Sequence, residues 1–100
     1  MNDEEISSKL NTIVRMWQPQ AMEQFIGTFR YEERRTSQHG ETTVLVFEID
    51  GGELLGVWEN VILADALKDV QPGDRIGIKF LGKQTNKRNT QYNAYHVVRG

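Results

Sequence analysis

Pro72–Lys83 reads PGDRIGIKFLGK, and the way this stretch alternates decides the fold. A Pro-Gly pair opens it, in the order that suits the two central positions of a type II turn over Gln71–Asp74. Ile76, Ile78 and Phe80 then alternate with Arg75, Gly77 and Lys79. That spacing predicts a strand over 75–81 with one apolar face and one basic face. Gly82 ends the strand and opens a loop to Gln91 that carries Lys83, Lys87 and Arg88 beside the amides of Gln84, Asn86 and Asn89.

The same period of two recurs on both sides. Downstream, 92–99 predicts a final strand. Upstream, Phe25, Gly27, Phe29 and Tyr31 alternate with Ile26, Thr28 and Arg30, and Gly27 predicts a bulge or sharp coil. Thr42–Asp50, TTVLVFEID, is β-branched and aromatic with no breaker. Asp50-Gly51-Gly52 predicts a hairpin turn, with the returning strand over 53–59. Asn60 is placed to cap a helix over 60–70, in which Leu63, Ala66, Leu67 and Val70 share a side. Glu32–Glu41, EERRTSQHGE, reads as a polar loop. The period changes only at the N-terminus: Ile6, Leu10, Ile13, Val14 and Trp17 form a helical stripe over 3–17, with acids at its start and Pro19 as its stop.

The predicted order is therefore a helix, three strands, a helix and two strands. Five short strands with a helix between the third and fourth is the order of the oligonucleotide-binding (OB) β-barrel. We read residues 23–100 as an all-β OB-fold domain, and residues 1–22 as an N-terminal helix packed on it or leading into it.

Composition narrows the function classes. The chain has 100 residues, 38% hydrophobic and 26% charged, which suits one globular domain. There is no cysteine, so disulfides, thiolate metal sites and a cysteine nucleophile are excluded. No apolar run has the length of a membrane span, and the acidic start MNDEEISSKL is not a signal peptide. A cytoplasmic location is expected. His39 and His96 have no acid or thiol at ligand spacing and read as surface or edge residues. The glycines do not form a dinucleotide or phosphate loop, and no serine sits in a glycine-flanked elbow. We expect neither an enzyme nor a metal or cofactor.

The charge is segregated. The net charge is only -2, but all 14 acids lie within residues 1–74, whereas residues 75–100 hold half of the 12 lysines and arginines and no acid. A local basic stripe is what nucleic acid responds to. Binding single strands without sequence preference needs cations along a phosphate path and flat faces for unstacked bases. The candidate cations are Arg34 and Arg35, between the first and second strands, with Arg75, Lys79, Lys83, Lys87 and Arg88. The loops holding Arg34–Arg35 and Lys83–Arg88 are the two that flank the ligand face of an OB-fold. Among the aromatics, Trp58 faces out and can stack a base if Leu55 and Val57 face in; if Leu54 and Trp58 face in, it is core. Phe47 shares a face with Leu45 and Ile49 and reads as core. Tyr92 and Tyr95 lie on opposite faces of the last strand, and Tyr92, next to the basic loop, is the ligand candidate.

RRTSQHGETTVLVFEIDGG, the Leu63–Leu67 helix, PGDRIGIKFLGK and YNAYHVV, in that order, resemble the small OB-fold proteins of bacteriophages that are commonly taken to be single-stranded DNA-binding proteins. Trp17-Gln18-Pro19 is similar to the segment leading into their first strand, and the resemblance covers about residues 15–99. It implies a non-catalytic protein that binds single-stranded DNA in phage or mobile-element replication, recombination or repair. Two departures stand out. The loop 84–91 lacks the expected glycines, and there is no acidic C-terminal tail of the kind that recruits partners in bacterial single-strand-binding proteins. The alternatives are an OB barrel that docks another protein, or one that binds RNA. The N-terminal helix and the strand edges leave room for a homodimer.

Overall fold

The computed structural model describes Asp3, residues 13–38 and residues 40–100. These residues form a mostly β fold with one short helix. The elements are β1 (Val14–Met16), β2 (Gln24–Ser37), β3 (Gly40–Glu48), β4 (Leu54–Trp58), α1 (Val61–Ala66), β5 (Arg75–Thr85) and β6 (Gln91–Arg99). All six strands join one sheet in the order β1-β4-β3-β2-β5-β6. β1 pairs parallel with β4, and the other pairings are antiparallel. Among the described residues no helix is long and apolar enough to cross a membrane.

The alternation in the opening stretch is realised. Ile76 and Ile78 are fully buried while Arg75 is exposed. They join Phe29, Leu45, Phe47, Val57, Leu63 and Leu67 in the core, with Trp17, Phe25 and Tyr95 packed against it. Each fully buried side chain of this core contributes about 1.5–3 kcal/mol by leaving water. The predicted turns also form: Gly73, Gly51 and Gly52 take positive φ, and the Asp74 amide donates to the Gln71 carbonyl over 3.0 Å.

β3 does not alternate. Val44, Leu45, Val46 and Phe47 are all buried. Leu45 and Phe47 face the core, and Val44 and Val46 are buried on the opposite face. There Gly56 of β4 lies under β1: a Cβ on Gly56 would come within 2.9 Å of both the Met16 sulfur and Val14 Cγ1. This explains the first departure from the sequence reading. The helix expected over 3–17 is absent at its C-terminal end, where Val14–Met16 is a strand and the Trp17 amide donates to the Gly56 carbonyl over 2.8 Å. Val14 fits either a helical stripe or a short strand, and the close approach of Val14 and Met16 to Gly56 selects the strand. Residues 4–12 of the predicted helix, and His39, lie outside the described residues.

Three further boundaries moved. Most of the polar stretch 32–41 is strand rather than loop: β2 runs to Ser37 and β3 starts at Gly40, and pairs such as Arg34–Thr43 and Arg35–Thr42 keep the register. β5 continues to Thr85, past Gly82, which marks a register shift against β6. The bulge in β2 falls at Arg30, where Phe29 and Tyr31 oppose consecutive residues of β3. Gly27 serves another purpose: a Cβ there would meet the Glu48 carbonyl oxygen and Phe47 Cβ at 3.1 Å. Beside it, at Thr28, β2 exchanges β5 for β3 as its partner.

The sheet is open, with β1 and β6 as its ends, and has six strands where five were expected. Although β4 and β6 are not strand-paired, they are bridged. Asn60 caps α1 by accepting from the Leu63 amide (2.9 Å), and its Nδ2 donates to the Asn93 carbonyl (3.0 Å). Trp17 sits beside the same gap, its ring edge-on to Phe25 (centroids 4.8 Å apart) and 6.3 Å from Tyr95.

Candidate nucleic-acid interface

The gap between β4 and β6 is a groove of about 440 Å³. Trp17, Trp58, Phe80 and Tyr95 supply aromatic surface, Asn60 and Asn93 supply amides, and Lys83 and Glu59 supply opposite charges. Leu55 and Val57 are buried, so β4 turns Trp58 outward, 46% exposed. The guanidinium carbon of Arg35 stands 6.0 Å from the Trp58 ring centre. That contact restricts the indole while leaving part of it open to a ligand. Phe47, as expected, is core.

Glu59 is the feature that works against an anion. Burial pushes its carboxyl above the ordinary range, the neighbouring Glu32 adds to this, and Arg34 opposes it. Burial likewise raises the Tyr95 hydroxyl. A phosphate entering the groove meets Lys83 on one wall and a carboxylate reluctant to hold its charge on the other.

The nine residues singled out in the sequence do not form one surface. Arg34 pairs with Glu41 (3.3 Å) and Arg35 with Glu33 (3.5 Å). Arg75 pairs with Asp50 (3.4 Å) and bonds to the Thr28 hydroxyl. Arg75 and Lys79 line a different groove, about 390 Å³, with Ile26, Gly77, His96 and Val98, on the side of β2, β5 and β6 turned away from the core. Tyr92 is half-buried, donates to Gln84 Oε1 (3.2 Å), and does not line the Trp58 groove; Tyr95, the other member of the pair, does. Trp58, Arg35 and Lys83 are thus brought together. Lys87 and Arg88 lie beyond Lys83 on the same hairpin, whereas Arg34, next to Arg35 in β2, is on the opposite face of the sheet. Arg75, Lys79 and Tyr92 are elsewhere.

Among the described residues every ion pair is made by an arginine. Within the same set, Lys79, Lys83, Lys87 and Arg88 have no such partner. The tip that carries Lys87 and Arg88 is ordered without glycine. Asn86 Oδ1 accepts from the amides of Arg88 (2.9 Å) and Thr90 (3.1 Å), and Asn89 takes the left-handed conformation at φ 64°. Asparagine tolerates that region better than other side-chain-bearing residues. The missing glycines of the 84–91 loop are replaced by this asparagine pair.

Sequence reasoning missed Trp17, Asn60 and Asn93 as groove residues. Trp17 was hidden in the helical stripe. The two asparagines are brought together only by the tertiary fold, though the cap signal did place Asn60 at the start of α1. Comparison with family models, curated proteins and solved structures gave no match.

Proposed function

We propose that the protein is a non-catalytic binder of single-stranded DNA, largely indifferent to sequence, built on an OB-type sheet. The strand order supports the fold reading. Apart from β1, the sheet runs third strand, second, first, fourth, fifth, which is the OB order before its last pairing is made. The third and fifth strands are joined by the Asn60–Asn93 bond and by the docking of α1 on β6 instead of a ladder. The β1 segment occupies the free side of the third strand.

The observation that carries the functional reading is the shared groove of Trp58 and Lys83. An exposed indole provides a stacking platform for an unstacked base, worth roughly 1–3 kcal/mol per base. Lys83, Lys87 and Arg88 continue from it along a hairpin with no acid of its own. Phosphates held by these cations release counterions, which makes binding salt-dependent. A role in phage or mobile-element DNA metabolism follows from the resemblance described above and belongs to the same proposal.

Fluorescence anisotropy of labelled oligo(dT), titrated at several salt concentrations, tests it. The expected result is binding at low salt, with log K falling linearly against log salt and a slope of about -0.7 per phosphate neutralised. Absence of binding at low salt would contradict the reading. A preference for oligo(U) over oligo(dT) would transfer it to RNA.

A further inference from the structure

We propose that the outer edge of β2 is a self-association surface, and that a second copy of this chain pairs with it antiparallel about a two-fold axis through Glu33. The argument begins with the backbone. Arg34 stands opposite Thr43, and the Thr43 carbonyl accepts from the Glu59 amide on its other side (2.9 Å). In an antiparallel ladder, opposed residues alternate between exchanging both bonds and exchanging none. Arg34–Thr43 is therefore a non-bonded pair, and the N–H and C=O of Arg34 point away from β3. By the same alternation, those of Glu32 and Thr36 do so too. β5 covers this side of β2 only as far as Thr28, and the backbone bonds from β2 to the turn residues Gly73 and Asp74 are those of Phe29. Beyond that point the edge has no backbone partner among the described residues.

The side chains on this edge are self-complementary. A two-fold axis normal to the sheet keeps each face on its own side, so residues that meet across it have the same parity. With the axis at Glu33, Glu32 of each copy stands opposite Arg34 of the other, so that acid meets base on one face. On the other face Tyr31, 43% exposed, stands opposite Arg35 of the second copy. Glu33 meets its own equivalent at the axis, but each already has Arg35 of its own chain at 3.5 Å. The Arg34–Glu41 contact that must be exchanged is highly exposed and weak. Edges protected against association present like charges or proline. This one presents two acids followed by two bases, the pattern that an isologous antiparallel contact satisfies.

Sedimentation over a range of protein concentrations, with circular dichroism to verify folding, tests the proposal. The wild type is expected to dimerise. Glu32→Arg and Arg34→Glu, each alone, turn both cross-strand attractions into repulsions and should weaken the dimer roughly tenfold or more. Mixed together, these two variants should form a heterodimer, because the arginine introduced in one copy would then face the glutamate introduced in the other. Arg34→Pro removes an amide that no ladder within one copy uses, so it should leave the monomer folded and abolish the dimer. A wild type that stays monomeric overturns the proposal. So does a dimer that survives the single charge reversals, or a mixture that does not associate.

Discussion

The β2–β3 and β5–β6 hairpins both carry several cations and differ in what those charges are free to do. Each is a long antiparallel pair with cations toward its end. On β2–β3, Arg34 and Arg35 are held by Glu41 and Glu33. On β5–β6, Lys83, Lys87 and Arg88 form no ion pair with any described residue. A count of lysine and arginine along a chain therefore overstates the field where acids lie alongside, on the same or the neighbouring strand, and states it fairly where they do not. Among the described residues the unpaired positive charge is concentrated on one hairpin, and Trp58 and Trp17 line the groove that this hairpin shares with the rest of the sheet.

Reversing Lys83, Lys87 and Arg88 to glutamate should break this comparison most severely. Three lost phosphate contacts would reduce the magnitude of the salt slope by about 2 and lower affinity for oligo(dT) by roughly two orders of magnitude or more at low salt. The melting temperature should hardly change, since all three are exposed. An unaltered affinity would make the hairpin only a solvated edge. Trp58→Ala comes next, at about 1–3 kcal/mol of binding, again with little loss of stability.

Glu59→Gln sharpens the comparison from the opposite side and should tighten binding by relieving repulsion in the groove. It also has a definite stability signature. Because the folded state raises the Glu59 pKa above 4.5, it holds that proton more tightly than the unfolded chain does. The stability this provides is present at low pH and is lost as pH rises through the folded value. Glu59→Gln should therefore stabilise the protein at neutral pH, with the advantage vanishing below about pH 4.5. A urea melt at each pH would show it, and an equal effect at both pH values would rule out titration of Glu59 as the cause. The smallest effect is expected from Arg34→Ala on the β2–β3 hairpin, within about 0.5 kcal/mol for binding of oligo(dT). A loss as large as that of Trp58→Ala would mean that nucleic acid displaces Glu41 and that the two hairpins act alike.

Much of this fold was legible in the chain. PGDRIGIKFLGK gave a strand with Ile76 and Ile78 inward, Gly51-Gly52 gave a hairpin, and Asn60 gave the start of a helix. These are local signals, carried by alternation, turn residues and caps. The failures were at places where a distant residue decides. Val14–Met16 became a strand because Gly56, far along the chain, lets it lie close. Glu32–Thr36 reads as a loop because its outward face is exposed and its half-buried face carries Glu33 and Arg35, so there is no apolar alternation to show. In the site, the phase of Leu55 and Val57 located Trp58 once burial was known. The pairing of Arg75 with Asp50, and of Arg34 with Glu41, has no signature in composition and had to be seen in three dimensions.

The most direct test is the emission of Trp58 itself. Trp17 borders the same groove, so the measurement belongs in the Trp17→Phe variant, with oligo(dT) added at low salt and then displaced by added salt. Stacking in the groove predicts quenching of Trp58 that saturates, reverses with salt, and is lost when Lys83, Lys87 and Arg88 are reversed to glutamate. Binding detected by anisotropy without any change in Trp58 emission would place the nucleic acid elsewhere on the molecule and contradict the account.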